Sequence, residues 1–201
     1  MTASRRARSQ AECAHSERLH MNHQDHIGLL RAGVLDDRGR PVGYTWADLG
    51  SGAGAFTLAL ADLLGPGGEI YSVDRDGRAL REQERAMRSR FPQTVVHYQV
   101  ADFTRPLSLP PLDGIVMANS LHFVPQAQKE AVVRQIRGYL HSGGRFILVE
   151  YNADGGNFWV PYPLSYPSWE RLASQAGFAD TRLPGTVLSR FLKEIYAALS
   201  W

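Results

Sequence analysis

The chain has 201 residues, 44% of them hydrophobic and 21% charged, which suits one α/β domain with a sizeable core and is short for two. A formal charge of +2 gives little support for the clustered basic face of a tight nucleic-acid binder, and no apolar run approaches the roughly 20 residues of a membrane-spanning helix. The single cysteine, Cys13, excludes an intrachain disulfide and a cysteine-built zinc site, so a reducing, cytoplasmic setting is expected.

Residues 1–20 carry four arginines and two glutamates, 4 − 2 = +2, the charge of the whole chain. That tail lacks the apolar stretch of a secretory signal and is expected to be disordered, with Met21 as an alternative natural start. Residues 21–201 read as a single domain. A short helix over 22–33 presents Ile27, Leu29 and Leu30 and is expected to stop at Gly33. The segment 36–43 is a turn by composition. A strand in YTWADLG, a helix in AFTLALADLL (55–64) and a strand in EIYSVD (69–74) follow. An amphipathic helix over 76–91 turns Leu80, Met87 and Phe91 inward. TVVHYQV (94–100) is a strand, the proline-rich 105–112 a loop, and DGIVMAN (113–119) a strand. The helix at 125–140 has proline in its first turn, and HSGG (141–144) turns the chain into the strand RFILVEY (145–151). Five alternations of apolar strand and helix predict a parallel sheet with helices on both faces. Beyond Tyr151 a long loop, 152–167, carries Phe158, Trp159, Tyr162 and Tyr166. A helix stopping at Gly177 and an antiparallel final hairpin complete the chain.

Between the first core strand and its helix lies Asp48-Leu-Gly50-Ser51-Gly52-Ala-Gly54. Glycines there let the backbone turn sharply and let a ligand approach without Cβ interference. Gly50, Gly52 and Ala55 also satisfy the dinucleotide pattern, so a nicotinamide reading is open on these residues alone. Three acids shift the balance. Asp48, two residues before the first glycine, suits an ammonium and would repel a pyrophosphate. Asp74 ends the second strand, where a carboxylate accepts from both ribose hydroxyls. Asp102 follows the third strand, placed for an exocyclic adenine amine. Together they suit an adenosine carrying a cationic amino-acid tail.

In the motifs WADLGSGAGAF (46–56), YSVDRD (71–76), VADFTRPL (100–107), DGIVMANSLHFV (113–124) and LHSGGRFILVEY (140–151), the chain resembles the class I S-adenosylmethionine-dependent methyltransferases. The resemblance implies a Rossmann-like, doubly wound, three-layer fold with a seven-stranded sheet of order 3-2-1-4-5-7-6 and strand 7 antiparallel. It also implies S-adenosylmethionine as cofactor and S-adenosylhomocysteine as product. Backbone groups of Gly50 and Asn119 would hold the methionine end, Asp74 the ribose, and Asp102 with Phe103 the adenine. Ser51, Gly52, Gly54, Arg75, Ala101 and Ser120 belong to the same motifs and are candidate cofactor contacts. The N-terminal helix, with His23 and His26 and preceded by His20, would cap the cofactor; the three histidines lack a matching acid set, and no metal is expected.

The segment after the fourth strand, Ala118-Asn119-Ser120-Leu121-His122-Phe123, lacks the tandem prolines of DNA and amide N-methyltransferases. It looks more like the small-molecule enzymes of quinone biosynthesis and natural-product pathways. His122 is the candidate general base, since a histidine titrates near neutrality, with packing against the cofactor as the alternative. Tyr151, with Glu150 and Asn152, leaves the fifth strand at the edge where open α/β sheets bind ligands and is a candidate to position an acceptor or to wall the site. Trp159, Tyr162 and Tyr166 suit a lid over a planar or apolar acceptor, or a satellite core over the sheet edge. The expected partner is a small molecule, with no nucleic acid and no membrane, and the protein a monomer or homodimer. An RNA or protein methyltransferase would bring a basic face or an accessory domain. A nicotinamide oxidoreductase would bring a set such as Tyr-x-x-x-Lys, and neither Lys129 nor Lys193 has that tyrosine. A non-catalytic nucleotide-binding protein on the same fold remains the fourth reading.

Overall fold

A computed structural model describes residues 21–189 and 191–201; the tail and Cys13 lie outside them. The elements run α1 (His23–Val34), β1 (Thr45–Leu49), α2 (Ala55–Leu64), β2 (Glu69–Asp74), α3 (Gly77–Arg90), β3 (Val95–Val100), β4 (Leu112–Ala118), a 3-10 turn (Leu121–Phe123), α4 (Gln126–Arg137), β5 (Leu140–Tyr151), α5 (Tyr166–Ala176), β6 (Thr181–Ser189) and β7 (Lys193–Ser200). The strands form one sheet of order β3-β2-β1-β4-β5-β7-β6. β1 to β5 pair in parallel, and β7 runs antiparallel to both β5 and β6. This is the order and direction implied by the resemblance. No helix among the described residues is long and apolar enough to cross a membrane.

The central strands read as unbroken apolar runs because both of their faces are covered. Along β5, Ile147 and Val149 join one core cluster while Phe146 and Leu148 join the other, following the two-residue alternation of a strand. Residues of α1 and α2 fill the first cluster, and α4 and α5 fill the second. β3 lies at one edge and exposes Val95 and Val100.

Local chemistry sets most boundaries. Asn22 and Asp25 form a reciprocal capping box that starts α1. Asp76 caps α3 by accepting from Arg78 N and Ala79 N. Gly177, at φ 99°, ends α5 in the left-handed conformation as expected.

Two expectations were wrong for reasons of packing. α1 does not stop at Gly33 but runs to Val34: a Cβ at Gly33 would lie 2.4 Å from Ile147 Cδ1, so this glycine is there for close helix–sheet contact. HSGG is not a turn before β5. The strand already begins at Leu140, paired with Leu112, and absorbs the extra residues as a register irregularity between Leu112 and Gly114.

Candidate active site

The C-terminal ends of β1, β2 and β4 open onto a cavity of about 460 Å³. β1 is flanked by β2 and β4, whose connections leave in opposite directions, so a crevice is left at the strand ends, as at the switch point of open α/β sheets. Nine of the residues singled out in the sequence line the cavity: Gly50, Gly52, Asp74, Arg75, Ala101, Asp102, Phe103, Asn119 and Ser120.

The glycine loop is held from beneath. Gly50 N and Ser51 N both donate to Val73 O, at 2.8 and 3.2 Å. Ser51 Oγ lies 2.8 Å from Ser72 Oγ, and both hydroxyls bond the buried Gln83. Ser51 and Gly54 therefore shape the loop and do not line the cavity. Gly50 is at φ 79°, and a Cβ there would lie 2.4 Å from Ser120 Cβ. Gly52 is at φ 53° and faces open space, which leaves its backbone accessible to a ligand.

The three acids occupy different environments. Asp74 accepts from Gly52 N through Oδ2 and from Asp76 N through Oδ1, each at 2.8 Å. Asp102 accepts from Thr104 Oγ1 at 2.7 Å and Thr104 N at 2.9 Å, and these bonds hold its carboxyl below the usual range. Asp48 is 1% exposed and bonded by Thr57 Oγ1 at 2.6 Å. Burial drives its pKa up to about 7, against the Thr57 bond and with help from the Asp74 charge. Asp48 lies outside the cavity lining.

Asn119 follows β4 at φ 51°, a conformation that asparagine tolerates better than most residues. Its Oδ1 is buried and has no hydrogen-bond partner, although its N donates to Val149 O at 2.8 Å. A strained residue at a cavity wall with an unfilled acceptor is the signature of a site waiting for a donor.

Thr104, Phe123, Val124, Pro125 and Gln128 complete the lining and were not singled out in the sequence. Four of them arrive because the 3-10 turn after β4 folds the chain back over the cavity before α4 begins.

His122 and Tyr151 do not line the cavity. The His122 ring is buried, its Nδ1 lying 2.9 and 3.1 Å from the two carboxylate oxygens of Glu150. Glu150, fully buried, also accepts from His122 N at 3.0 Å and Tyr151 N at 2.8 Å. Tyr151 instead packs away from the cavity lining: its ring meets His122 edge-on at 5.6 Å and Phe191 at 6.5 Å, and burial raises its pKa. The buried Lys129 of α4 donates to Tyr162 O, while Tyr162 N donates to His122 O at 3.0 Å.

Of the loop aromatics, Trp159 and Tyr162 are exposed, whereas Tyr166 opens α5 and packs edge-on against Tyr196 at 5.8 Å. Tyr166 therefore belongs to the core side and is withdrawn as a lid residue. The cap-helix expectation also needs correction: no residue of α1 lines the cavity. α1 lies on the sheet through Gly33, with His23 bonded to Asp62 of α2 at 3.0 Å and His26 against Phe56; His20 lies outside the described residues.

Residues 47–146 match the family described as a methyltransferase domain. The chain is 28% identical over 129 residues to the carboxy-S-adenosyl-L-methionine synthase of Psychrobacter sp. (strain PRwf-1), covering 62% of this chain and 46% of that protein. It thus spans about half the length of that curated relative. Among solved structures it superimposes on magnesium protoporphyrin IX methyltransferase from Synechocystis PCC 6803 with a TM-score of 0.68 at 16% identity, covering 89% of this chain and 78% of that one. Human N-acetylserotonin methyltransferase gives 0.63 at 22%, covering 89% and 54%. The chain belongs to the class I S-adenosylmethionine-dependent methyltransferases. Its cofactor is accordingly S-adenosylmethionine.

The residues present fit that cofactor. A methyltransferase site must take an adenosine with a cationic amino-acid tail, and this one combines two lining acids, Asp74 and Asp102, an open glycine backbone and an unpaired amide acceptor, with Asp48 buried at the end of β1. Because Gly50 has both a positive φ and a wall at 2.4 Å, Gly50→Ala should cost about 1–3 kcal/mol of stability. It should also abolish S-adenosylhomocysteine binding in calorimetry; an alanine variant that binds normally would show the loop to be more pliable than this geometry allows.

Proposed function

We propose that this methyltransferase transfers the methyl group of S-adenosylmethionine to a small-molecule acceptor in a cytoplasmic setting. The observation that carries the reading is the cavity at the strand ends, where Asp74, Asp102 and the unpartnered Asn119 Oδ1 converge on an open glycine backbone. When bound, S-adenosylmethionine supplies a methyl group activated by its sulfonium for in-line displacement, leaving S-adenosylhomocysteine.

The chain's part is then to bind, align and exclude water. Asp74, its two oxygens already oriented by Gly52 N and Asp76 N, retains lone pairs for the ribose hydroxyls. Asp102, oriented by Thr104, faces the adenine amine beside Phe103. Asn119 and Gly50 take the methionine end, with Asp48 opposing its ammonium. Arg75, Ala101 and Ser120 bound the space between them. Small-molecule acceptors are named for the Synechocystis and human structural neighbours, and the formally neutral body of this chain gives little support for tight RNA binding.

His122 is the proton acceptor in this reading when a hydroxyl or thiol acceptor reaches its buried ring, which lies outside the cavity lining. Glu150 holds Nδ1, which leaves Nε2 as the ring nitrogen without a hydrogen-bond partner among the described residues; with the proton on Nδ1, Nε2 is the basic atom. His122→Gln should then lower kcat by about 10²–10⁴ for an oxygen acceptor with S-adenosylmethionine affinity unchanged. An equal fall in cofactor affinity would assign His122 to packing instead.

The experiment that tests the reading is calorimetric titration with S-adenosylmethionine and S-adenosylhomocysteine, with NAD(H) and NADP(H) as controls and Asp74→Ala alongside. Micromolar binding of the first pair, lost in the variant, is expected. Binding of a nicotinamide nucleotide instead would overturn it.

A further inference from the structure

The two edges of the sheet are built differently. β6 carries Pro184 inside a register irregularity between Arg182 and Gly185, and prolines and irregularities are devices that stop an edge strand from pairing further. β3 has neither. Its residues Val95–Val100 pair with β2 in unbroken register, and none of them is charged, proline or glycine. Val95 and Val100 are 54% and 67% exposed, and among the described residues β2 is the only strand that pairs with β3. A regular, uncharged strand rich in β-branched and aromatic residues is a template for another strand.

The side chains of β3 favour a second β3 as the other strand. Val96 and Tyr98 line a groove of about 190 Å³ with Glu84, Met87 and Arg88 of α3. Val100 shares their face by the alternation of a strand, and a Cβ at Gly77, where α3 begins, would lie 3.2 Å from its Cγ2. On the opposite face His97 stacks on Tyr71 at 4.5 Å, with its Nε2 2.7 Å from Glu69 Oε1. The α3 face of the strand thus runs valine, tyrosine, valine, and reads the same in either direction. Glu84 and Arg88 act on Tyr98 from α3 with opposite sign, so a two-fold axis at Tyr98, which reverses α3, turns the acid of one copy toward the base of the other. The 20 residues before Met21 are a poorer match, with six charged side chains among them.

We propose that β3 is the pairing edge for a second copy of this chain: two β3 strands join antiparallel about a two-fold axis at Tyr98, and the two sheets become one. Opposed residues of an antiparallel pair lie on the same face, so this register sets Tyr98 against the partner's Tyr98 and Val96 against the partner's Val100, the aromatic and β-branched pairings that stabilise sheets. The contact is isologous and closes at two copies. Strand pairing over six residues buries less than the roughly 800 Å² per partner of a stable interface, so the groove beside Tyr98 closes between the two α3 helices as well. Because the axis reverses every strand, the two strand-end cavities open at opposite ends of the joined sheet. The proposal is independent of what those cavities bind.

Sedimentation velocity of the full chain across the micromolar range should show a concentration-dependent dimer. Val95→Lys/Val100→Lys, at two exposed positions of the strand, should raise the dimer dissociation constant at least tenfold, because edge lysines oppose strand pairing. Oxidative cross-linking in a Cys13→Ser background reads the register. Opposed Cα atoms of an antiparallel pair are about 4.5–5.5 Å apart, within disulfide reach. Tyr98→Cys should therefore give a disulfide-linked dimer, and Leu188→Cys, 74% exposed on β6, should not. A wild type that stays monomeric at every concentration, a dimer that the lysine variant leaves intact, or a Tyr98→Cys chain that does not cross-link would overturn the proposal. So would cross-linking through Leu188→Cys, which would put the contact on the other edge.

Discussion

Asp48→Asn is expected to stabilise the ligand-free protein above pH 7 while weakening its hold on S-adenosylmethionine. Asp48 is enclosed at the end of β1 with one hydrogen bond, from Thr57, and burial raises its pKa to about 7. The folded state therefore binds this proton more tightly than the unfolded chain does. Its contribution to stability is full below the ordinary carboxylate pKa, declines as pH rises through about 4 to 7, and is lost above that. The penalty of keeping the group ionised at pH 8 is at most about 4 kcal/mol, and asparagine, which can still accept from Thr57, removes it. At about 2–4 °C per kcal/mol for a chain of this size, the variant should melt several degrees higher at pH 8, with a clearly smaller difference at pH 5.

Cofactor binding should move the other way. The ammonium of the cofactor favours the ionised carboxylate, so wild-type affinity should fall by up to tenfold per pH unit below 7, and the variant should be weaker at pH 8 with a flat profile. Calorimetry at pH 6, 7 and 8 and thermal melts at pH 5 and 8 measure both. A wild-type affinity constant across that range would show that Asp48 does not sense the cofactor.

Glu150→Ala should be the most damaging single change away from the cavity. Glu150 is fully enclosed and receives His122 Nδ1, His122 N and Tyr151 N. Its charge also opposes the burial that lowers the Lys129 pKa to about 8. Removing it leaves a buried imidazole and two backbone donors without their acceptor and takes from the buried Lys129 the opposite charge that favours its ionised form, a loss of about 3–5 kcal/mol and a fall in melting temperature of about 10 °C.

Lys129→Met is the informative contrast, because methionine fills a similar volume without a charge. The folded pKa of Lys129 lies below its ordinary value, so its charged form is penalised below about pH 8, and the penalty eases as pH rises toward 10.5. Lys129→Met should therefore cost far less at pH 7 than Glu150→Ala, losing chiefly the bond to Tyr162 O. Equal losses in the two variants would show the lysine, not the carboxylate, to be the centre of the network.

Much of the fold was legible because it depends on local rules. Buried parallel strands such as 69–74 and the 145–151 stretch of β5 are apolar on both faces and stand out. Asn22, Asp76 and Gly177 announce helix ends through hydrogen bonds to their own neighbours. Part of the cavity lining was legible for a related reason: Gly50, Gly52, Asp74 and Asp102 sit at or within a few residues of strand ends, and strand ends in this topology converge on one crevice.

What the sequence by itself determined, then, is the alternation that builds the sheet, its class, and the glycines and acids that sit at the strand ends, since each is governed by groups within a few residues. Only the tertiary structure decided the rest, because those outcomes depend on which distant groups meet. Glu150 lies 28 residues from His122 yet takes its Nδ1. Gly33 is set by a side chain on β5 and not by helix termination. Phe123 and Gln128 reach the cavity only because the chain folds back after β4. Trp159 and Tyr166 share one segment and similar chemistry, but the anchoring of Val160 and Leu164 sends the first into solvent and lets the second close against Tyr196.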